Sequence, residues 1–281
     1  MKVSKAPAAP TVSQPPPGSA AAFFDIDNTV IRGASAFHLA RMMRRRGLVS
    51  RRSITHLAWR NLRYRILGER QRDIEATRAE SLAIIGGIPV AEILVAGEQL
   101  YDEVLALRIF PGTQELIDQH REAGHEVWFV SATPTEVGTL MAGRLGATGA
   151  LGTNAERKDG FYTGDLQGDL LHGQAKADAV EKLASERGFD LAHCFAYSDS
   201  INDAPLLRLV GNPCGINPDR RLRALCAQQV WPVREFRGRR RAVRRPLRAA
   251  SNVGAWWAAL TVVWAVLRRL APHRRRPRPR P

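Results

Sequence analysis

From Ala20 to Phe24 the chain is apolar without interruption, and two carboxylates, Asp25 and Asp27, follow at once. An apolar run of this kind reads as a buried strand. Acids at its carboxyl end stand where open α/β sheets place their ligands. At a strand end the backbone turns, so both side chains can face one pocket. Two carboxylates this close repel, and a bound cation is the usual way to keep both ionised. Mg²⁺ suits them, because it takes hard oxygen ligands and keeps waters that a phosphate can replace. The plainer alternative is a strand that ends in an Asp/Asn turn.

Three later stretches weigh against that alternative. Val127-Trp128-Phe129-Val130-Ser131-Ala132-Thr133 is an apolar run ending in hydroxyls. Lys176 stands in a helix start, Gly173-Gln174-Ala175-Lys176. Phe195-Ala196-Tyr197-Ser198-Asp199-Ser200-Ile201-Asn202-Asp203 is a further strand ending in acids. In order these are D-x-D-x-T, a strand-end serine, a lone lysine and S-D-S-x-N-D. Each is weak alone, and the four in order are specific. The set resembles the haloacid dehalogenase-like (HAD) hydrolase superfamily in its phosphoserine-phosphatase-like branch, subfamily IB, over about residues 20 to 231.

The resemblance implies a doubly wound α/β fold with a parallel sheet, a Rossmann-like core into which a helical cap is inserted. It implies an Mg²⁺-dependent phosphomonoester hydrolase. Asp25 would be the nucleophile that forms an aspartyl-phosphate, and Asp27 the general acid and base. The metal would take Asp25, the backbone carbonyl of Asp27, and Asp199. Ser131, with backbone amides around Ala132 and Asn28, would hold phosphate oxygens. Lys176 would set a compact positive charge against the phosphate and Asp25. Asp203 would orient the metal site or the lysine, and Asn202 is a phosphate or substrate contact. The chain also departs from the pattern. Phosphoserine phosphatases carry a glutamate nine residues after the nucleophile, for the substrate's amino group, and Ala34 stands there. The usual Ser-Gly-Gly of the second stretch is Ser131-Ala132-Thr133. The catalytic set is therefore supported more firmly than serine as the leaving group.

The order of elements agrees with an inserted cap. Residues 1–19 are rich in Pro and Ala and are expected to be disordered. Residues 20–35 and 108–231 carry the α/β alternation, with helices over 113–123, 134–145 and 174–187 and a small hairpin within 155–170. Residues 36–107 show helical spacing throughout, broken near Gly47, Gly68 and Gly86-Gly87. Gly33 is placed to hinge the two parts. A cap suits phosphoryl transfer because it excludes water and supplies substrate contacts. Between Arg32 and Arg72 stand twelve arginines and one acid, Glu69. That run is either a solvated basic face or a surface for an anionic substrate or lipid.

The net charge of +15 belongs mostly to residues 232–281, which hold fifteen arginines and one glutamate. Within them, 249–267 are uncharged and carry Trp256, Trp257 and Trp264 on one helical stripe, between arginine clusters. This stretch is just long enough to span a membrane, its stripe favours an interfacial helix on an anionic membrane, and the alternative is a helix packed on the core or on a partner. Three cysteines, Cys194, Cys214 and Cys226, lack C-x-x-C spacing and suit a reduced, cytoplasmic setting. The histidines lack metal-ligand spacing. The expected partner is a phosphorylated small molecule or a lipid phosphate. Two other functions compete: a non-catalytic regulator on the same fold, and a nucleic-acid-binding protein acting through the tail. Filled catalytic positions disfavour the first, and the lack of a base-reading motif disfavours the second.

Overall fold

The computed structural model describes residues 19–49 and 85–237. Expectations about 1–18, the middle of the helical insert at 50–84 including Gly68, and the tail beyond 237 with its 249–267 stretch lie outside the described residues. Among the described residues no helix is long and apolar enough to cross a membrane.

Strand β1 (Ala21–Phe24) is buried along its whole length. It lies between β2 (Glu126–Pro134) and β6 (Phe195–Ser198), parallel to both. With β3 (Gly149–Thr153), β7 (Asn212–Ile216) and the short β8 (Val233–Arg234) these form a six-stranded parallel sheet ordered β3-β2-β1-β6-β7-β8. The chain winds outward from β1 in one direction and from β6 in the other. The switch between those two strands opens a crevice at their carboxyl ends.

Period-two alternation in β1 feeds two cores. Ala22 and Phe24 join Leu39 of α1 (Ser35–Arg45), Ile93 of α2 (Val90–Leu100), Leu116 of α3 (Pro111–Glu122) and Met141 of α4 (Thr135–Leu145) on one face. Ala21 and Phe23 join Val180 of α5 (Gln174–Arg187), Leu206 of α6 (Ala204–Leu209) and Leu222 of α7 (Arg220–Gln229) on the other. The regular elements among the described insert residues are helices. α2 continues into a π turn over Tyr101–Leu105 and a 3₁₀ turn over Ala106–Arg108 before the chain returns to the sheet. Arg46 bonds Glu92 at 2.9 Å and Gln99 at 2.8 Å, fastening α1 to α2. The hairpin expected within 155–170 is an antiparallel pair, β4 (Ala155–Lys158) with β5 (Phe161–Leu166). Its turn residues Asp159 and Gly160 both have positive φ, as a tight hairpin turn of Asp-Gly type requires.

Two elements differ from the sequence reading. β2 does not stop at Val130; it runs through Ser131 to Pro134 with an irregular register against β3, and α4 starts one residue later than expected. Irregular pairing keeps Ser131 and Thr133 buried where a regular strand end would expose them. The α/β pattern also does not close near Trp231. β8 adds to β7, and the Asn217 amide donates to the Arg234 carbonyl at 2.8 Å. The Phe236 ring then lies so close to Gly112 that a Cβ there would come within 2.4 Å of it. A two-residue strand is too short to show a hydrophobic period, so the sequence carried no sign of it.

Candidate functional site

The chain leaves β1 at Phe24 and turns through Asn28, whose φ of 61° is left-handed. Asn tolerates that conformation because its short polar side chain bonds locally, and here its Oδ1 accepts the Gly33 amide at 3.1 Å. The turn is fixed from both sides. Thr113 donates its hydroxyl to the Thr29 carbonyl at 2.7 Å, and Asn217 donates Nδ2 to the Asn28 carbonyl at 3.2 Å. The Asp25 amide donates to the Tyr197 carbonyl at 2.9 Å, which ties the first acid to β6.

Lys176, one turn into α5, is 3 % exposed and lies between two carboxylates. Its Nζ meets Asp25 Oδ1 at 2.5 Å and Asp203 Oδ2 at 2.9 Å. Ser198 donates its hydroxyl to the same Asp203 oxygen at 2.7 Å. Burial disfavours charge on this lysine; the two acids outweigh burial and hold it firmly protonated. Asp25 is pushed upward by its own burial, against the pull of Lys176, and Asp203 and Asp27 add to the upward shift.

Asp27 belongs to a second polar chain. Its Oδ1 accepts the Ser35 amide at 2.8 Å and the Ser35 hydroxyl at 2.6 Å. Ser35 Oγ stands 2.6 Å from Thr133 Oγ1, and Ser131 donates to Thr133 Oγ1 at 3.0 Å. Ser131 is therefore linked to Asp27 through two hydroxyls. Burial raises Asp27, and the Ser35 bonds oppose the rise. Asp199 lies where β6 gives way to the following turn. Burial lifts it to about 7, with Arg237 opposing and Asp203, Asp219 and Asp27 reinforcing. Arg237 reaches Asp199 at 3.6 Å.

The expected residues separate into those brought together and those held apart. Asp25, Lys176 and Asp203 share direct bonds. Asp27 lies close enough to Asp199 to add to its upward shift. Asn28 spends its side chain on its own turn, and the Ala132 carbonyl accepts the Thr153 hydroxyl at 3.0 Å. Asn202 is exposed, and its backbone amide donates to the Ser200 hydroxyl at 3.3 Å. Ser35, Thr133, Ser198 and Asn217 had no role assigned from sequence. Asn217 lies 189 positions from the Asn28 carbonyl it binds, and no spacing rule spans that distance. Ser35 follows the D-x-D-x-T stretch, but nothing marks it apart from any helix-opening serine.

Among the described residues no three His, Cys, Asp or Glu side chains gather in a metal-binding group. The donor set expected here needs only two, Asp25 and Asp199, with the Asp27 carbonyl as the third. The charge balance favours a cation: Asp25, Asp27, Asp199 and Asp203 face Lys176, with Arg237 at the margin, and burial drives three of those acids upward. Hard oxygen donors with surplus negative charge fit Mg²⁺.

A family model for haloacid dehalogenase-like hydrolases matches residues 22–208, which include all of these acids and the lysine. The chain belongs to that family of enzymes. It is 45 % identical over 246 residues to a phosphoserine phosphatase of Mycobacterium tuberculosis, covering 87 % of this chain and 80 % of that one. It is 31 % identical to a histidinol-phosphatase of Neisseria meningitidis, over 77 % of this chain and 98 % of the other. Among solved structures, a Bordetella pertussis protein of unknown function superposes with a TM-score of 0.69 at 26 % identity, covering 77 % of this chain and 98 % of that one. These likenesses agree with the α/β core.

Proposed function

We propose that this hydrolase is an Mg²⁺-dependent phosphomonoesterase that works through an aspartyl-phosphate on Asp25. One observation carries the reading: a buried Asp25–Lys176–Asp203 ion cluster stands beside Asp27, a second acid whose own bonds are already assigned. Asp25 Oδ1 is held by Lys176, which leaves Oδ2 to attack phosphorus. The bond between phosphorus and the leaving alkoxide breaks as the acyl phosphate forms. Asp27 Oδ1 is occupied by Ser35, so the proton for the alkoxide is carried on Oδ2; burial favours that protonated form. In the second step Asp27, now a carboxylate, takes a proton from water. The water oxygen bonds to phosphorus, the acyl phosphate opens, and Asp25 is restored with inorganic phosphate as product.

Ser131 and the amides near Ala132 and Asn28 orient the phosphoryl oxygens, with Asn202 at the outer edge, and Lys176 offsets their charge. Asp25, the Asp27 carbonyl and Asp199 would hold the Mg²⁺, which supplies charge neutralisation between nucleophile and phosphate when bound. The relatives named for phosphoserine and for histidinol phosphate support a phosphorylated small molecule as substrate. Ala34 offers no carboxylate to an ammonium group, so phosphoserine is not expected to be strongly preferred. The test is hydrolysis of an aryl phosphate by purified protein. Activity should require added Mg²⁺, vanish in chelator and be absent in Asp25→Asn. Full turnover in chelator, or by the Asn variant, would refute the mechanism.

A further inference from the structure

Three buried hydroxyls, those of Ser35, Thr133 and Ser131, run from Asp27 to the end of β2. Ser35 opens α1, and Ala34 before it supplies no side-chain cap, so the Ser35 amide is taken by Asp27 Oδ1 at 2.8 Å. Ser131 and Thr133 lie two residues apart on β2, and period-two alternation puts both on one face. Both are buried, while Ala132 between them is half-buried. The Thr153 hydroxyl fixes the same stretch by donating to the Ala132 carbonyl at 3.0 Å. Phosphoserine phosphatases usually have glycine where Thr133 stands, so this link belongs to the chain's own sequence and not to the shared pattern.

Each hydroxyl owns one hydrogen, and that count fixes the direction of the chain. The Ser35 hydrogen goes to Asp27 Oδ1 at 2.6 Å. The 2.6 Å contact between Ser35 Oγ and Thr133 Oγ1 can then be made only by the Thr133 hydrogen. Thr133 has none left for Ser131, so the 3.0 Å bond between those two is donated by Ser131. The hydrogens therefore point from Ser131 through Thr133 and Ser35 to Asp27. Bonds in such a chain polarise one another, and each strengthens the next. A lone serine hydroxyl rotates to suit its surroundings; Thr133, by donating to Ser35 Oγ, turns the Ser35 hydrogen onto Asp27. Ser131 can give its hydrogen to a phosphoryl oxygen and leave the two bonds nearer Asp27 in place. Without the Thr133 hydroxyl, Ser35 Oγ would be buried with no donor, and its own bond to Asp27 would no longer be fixed.

We propose that Thr133 is a positioning residue for the acid step: acting through Ser35, it pins Asp27 Oδ1 and so aims Oδ2 at the leaving oxygen. The inference rests on the phosphomonoesterase reading and adds a residue to it. The proton still passes from Asp27 Oδ2 to the alkoxide as the bond to phosphorus breaks, and Thr133 keeps its own hydrogen throughout. Two esters separate this role from a structural one. Ethyl phosphate releases a strongly basic alkoxide that needs the proton, whereas p-nitrophenyl phosphate releases a stable phenolate that does not. The ratio kcat/KM reports the steps up to that release, so the later base role of Asp27 does not enter it. Thr133→Val in the full-length protein should lower kcat/KM about tenfold for ethyl phosphate and less than about twofold for p-nitrophenyl phosphate. Thr133→Ser should restore most of the ethyl phosphate rate, and Thr133→Ala serves in place of valine should that variant not fold. An equal loss on both esters would overturn the inference, since Thr133 would then serve the phosphate through Ser131 or the fold at large; no loss on either would overturn it too. Crystal structures of the wild type and Thr133→Val read the positioning without turnover. Ser35 Oγ is expected to bond Asp27 Oδ1 in the first and to turn away in the second. An unchanged bond in the variant would sink the inference whatever the esters show. If neither ester is hydrolysed, the phosphomonoesterase reading fails, and the two structures still decide whether Thr133 positions Asp27.

Discussion

Asp25 and His120 are both buried polar residues bonded to Tyr197, Asp25 through its backbone and His120 through its ring, and their side chains are held in opposite ways. The Tyr197 carbonyl receives the Asp25 amide, while its hydroxyl stands 2.8 Å from His120 Nε2. His120 Nδ1 in turn meets His125 Nδ1 at 2.9 Å. Burial disfavours charge in both places: it raises the acid and lowers His120 to about 3. The histidine chain stays neutral, its rings packed against Phe24 and Phe195. The aspartate cluster keeps its charge, through Lys176, at the mouth of the sheet. Two polar clusters next to one tyrosine thus differ in charge: one is neutral and closed, and the other is ionised with acids in surplus. Buried charge that is not fully balanced marks a site; buried polarity alone does not.

That contrast can be tested by removing charge from one cluster and adding it to the other. The largest effect is expected for Asp25→Asn, with activity down about four orders of magnitude or more. Its urea midpoint at neutral pH should stay level or rise. A carboxyl whose folded pKa is raised loses stability as pH climbs above about 3.8, and the amide escapes that loss. A large fall in stability would show the ionised aspartate to be structural as well. Lys176→Met should lose activity and also about 3–5 kcal/mol of stability, because it leaves Asp25 and Asp203 buried without their shared cation. A mild loss would mean that the acids are protonated or hydrated without it.

The histidine chain should respond to acid. A depressed histidine is neutral in the fold and charges in the unfolded chain below about 6.5, so stability falls as pH drops from there toward about 3. Between pH 6.5 and 4 His120 alone would remove about 3 kcal/mol. Denaturation of His120→Gln across that range should show a flatter acid limb than wild type; parallel curves would mean that His120 charges freely in the fold. The smallest effect is expected for Ser35→Ala, which removes the hydroxyl bond to Asp27 but spares the amide bond. Turnover of alkyl phosphates should fall about tenfold, with the pH profile moved to higher values, since a bond that favours the Asp27 carboxylate is lost. An unchanged profile would detach Ser35 from the acid.

Much of this molecule could be read along the chain. The apolar run into Asp25 and Asp27, the strand into Asp199 and the helix carrying Lys176 gave the parallel fold, because hydrophobic period and abrupt termination in acids are local properties. The α5 boundaries at Gln174 and Arg187 and the Asp159-Gly160 turn are local for the same reason. Other features were not legible. That Lys176 lies between Asp25 and Asp203, that Ser35 and Thr133 carry Asp27, and that Asn217 fastens the Asn28 turn to β8 all depend on groups far apart in sequence. Residue type and spacing determine which side chains can do chemistry. Their partners, charge states and shared cavities are decided only when the sheet brings its strand ends together, because electrostatics and hydrogen bonding act through space and the sequence records only order along the chain.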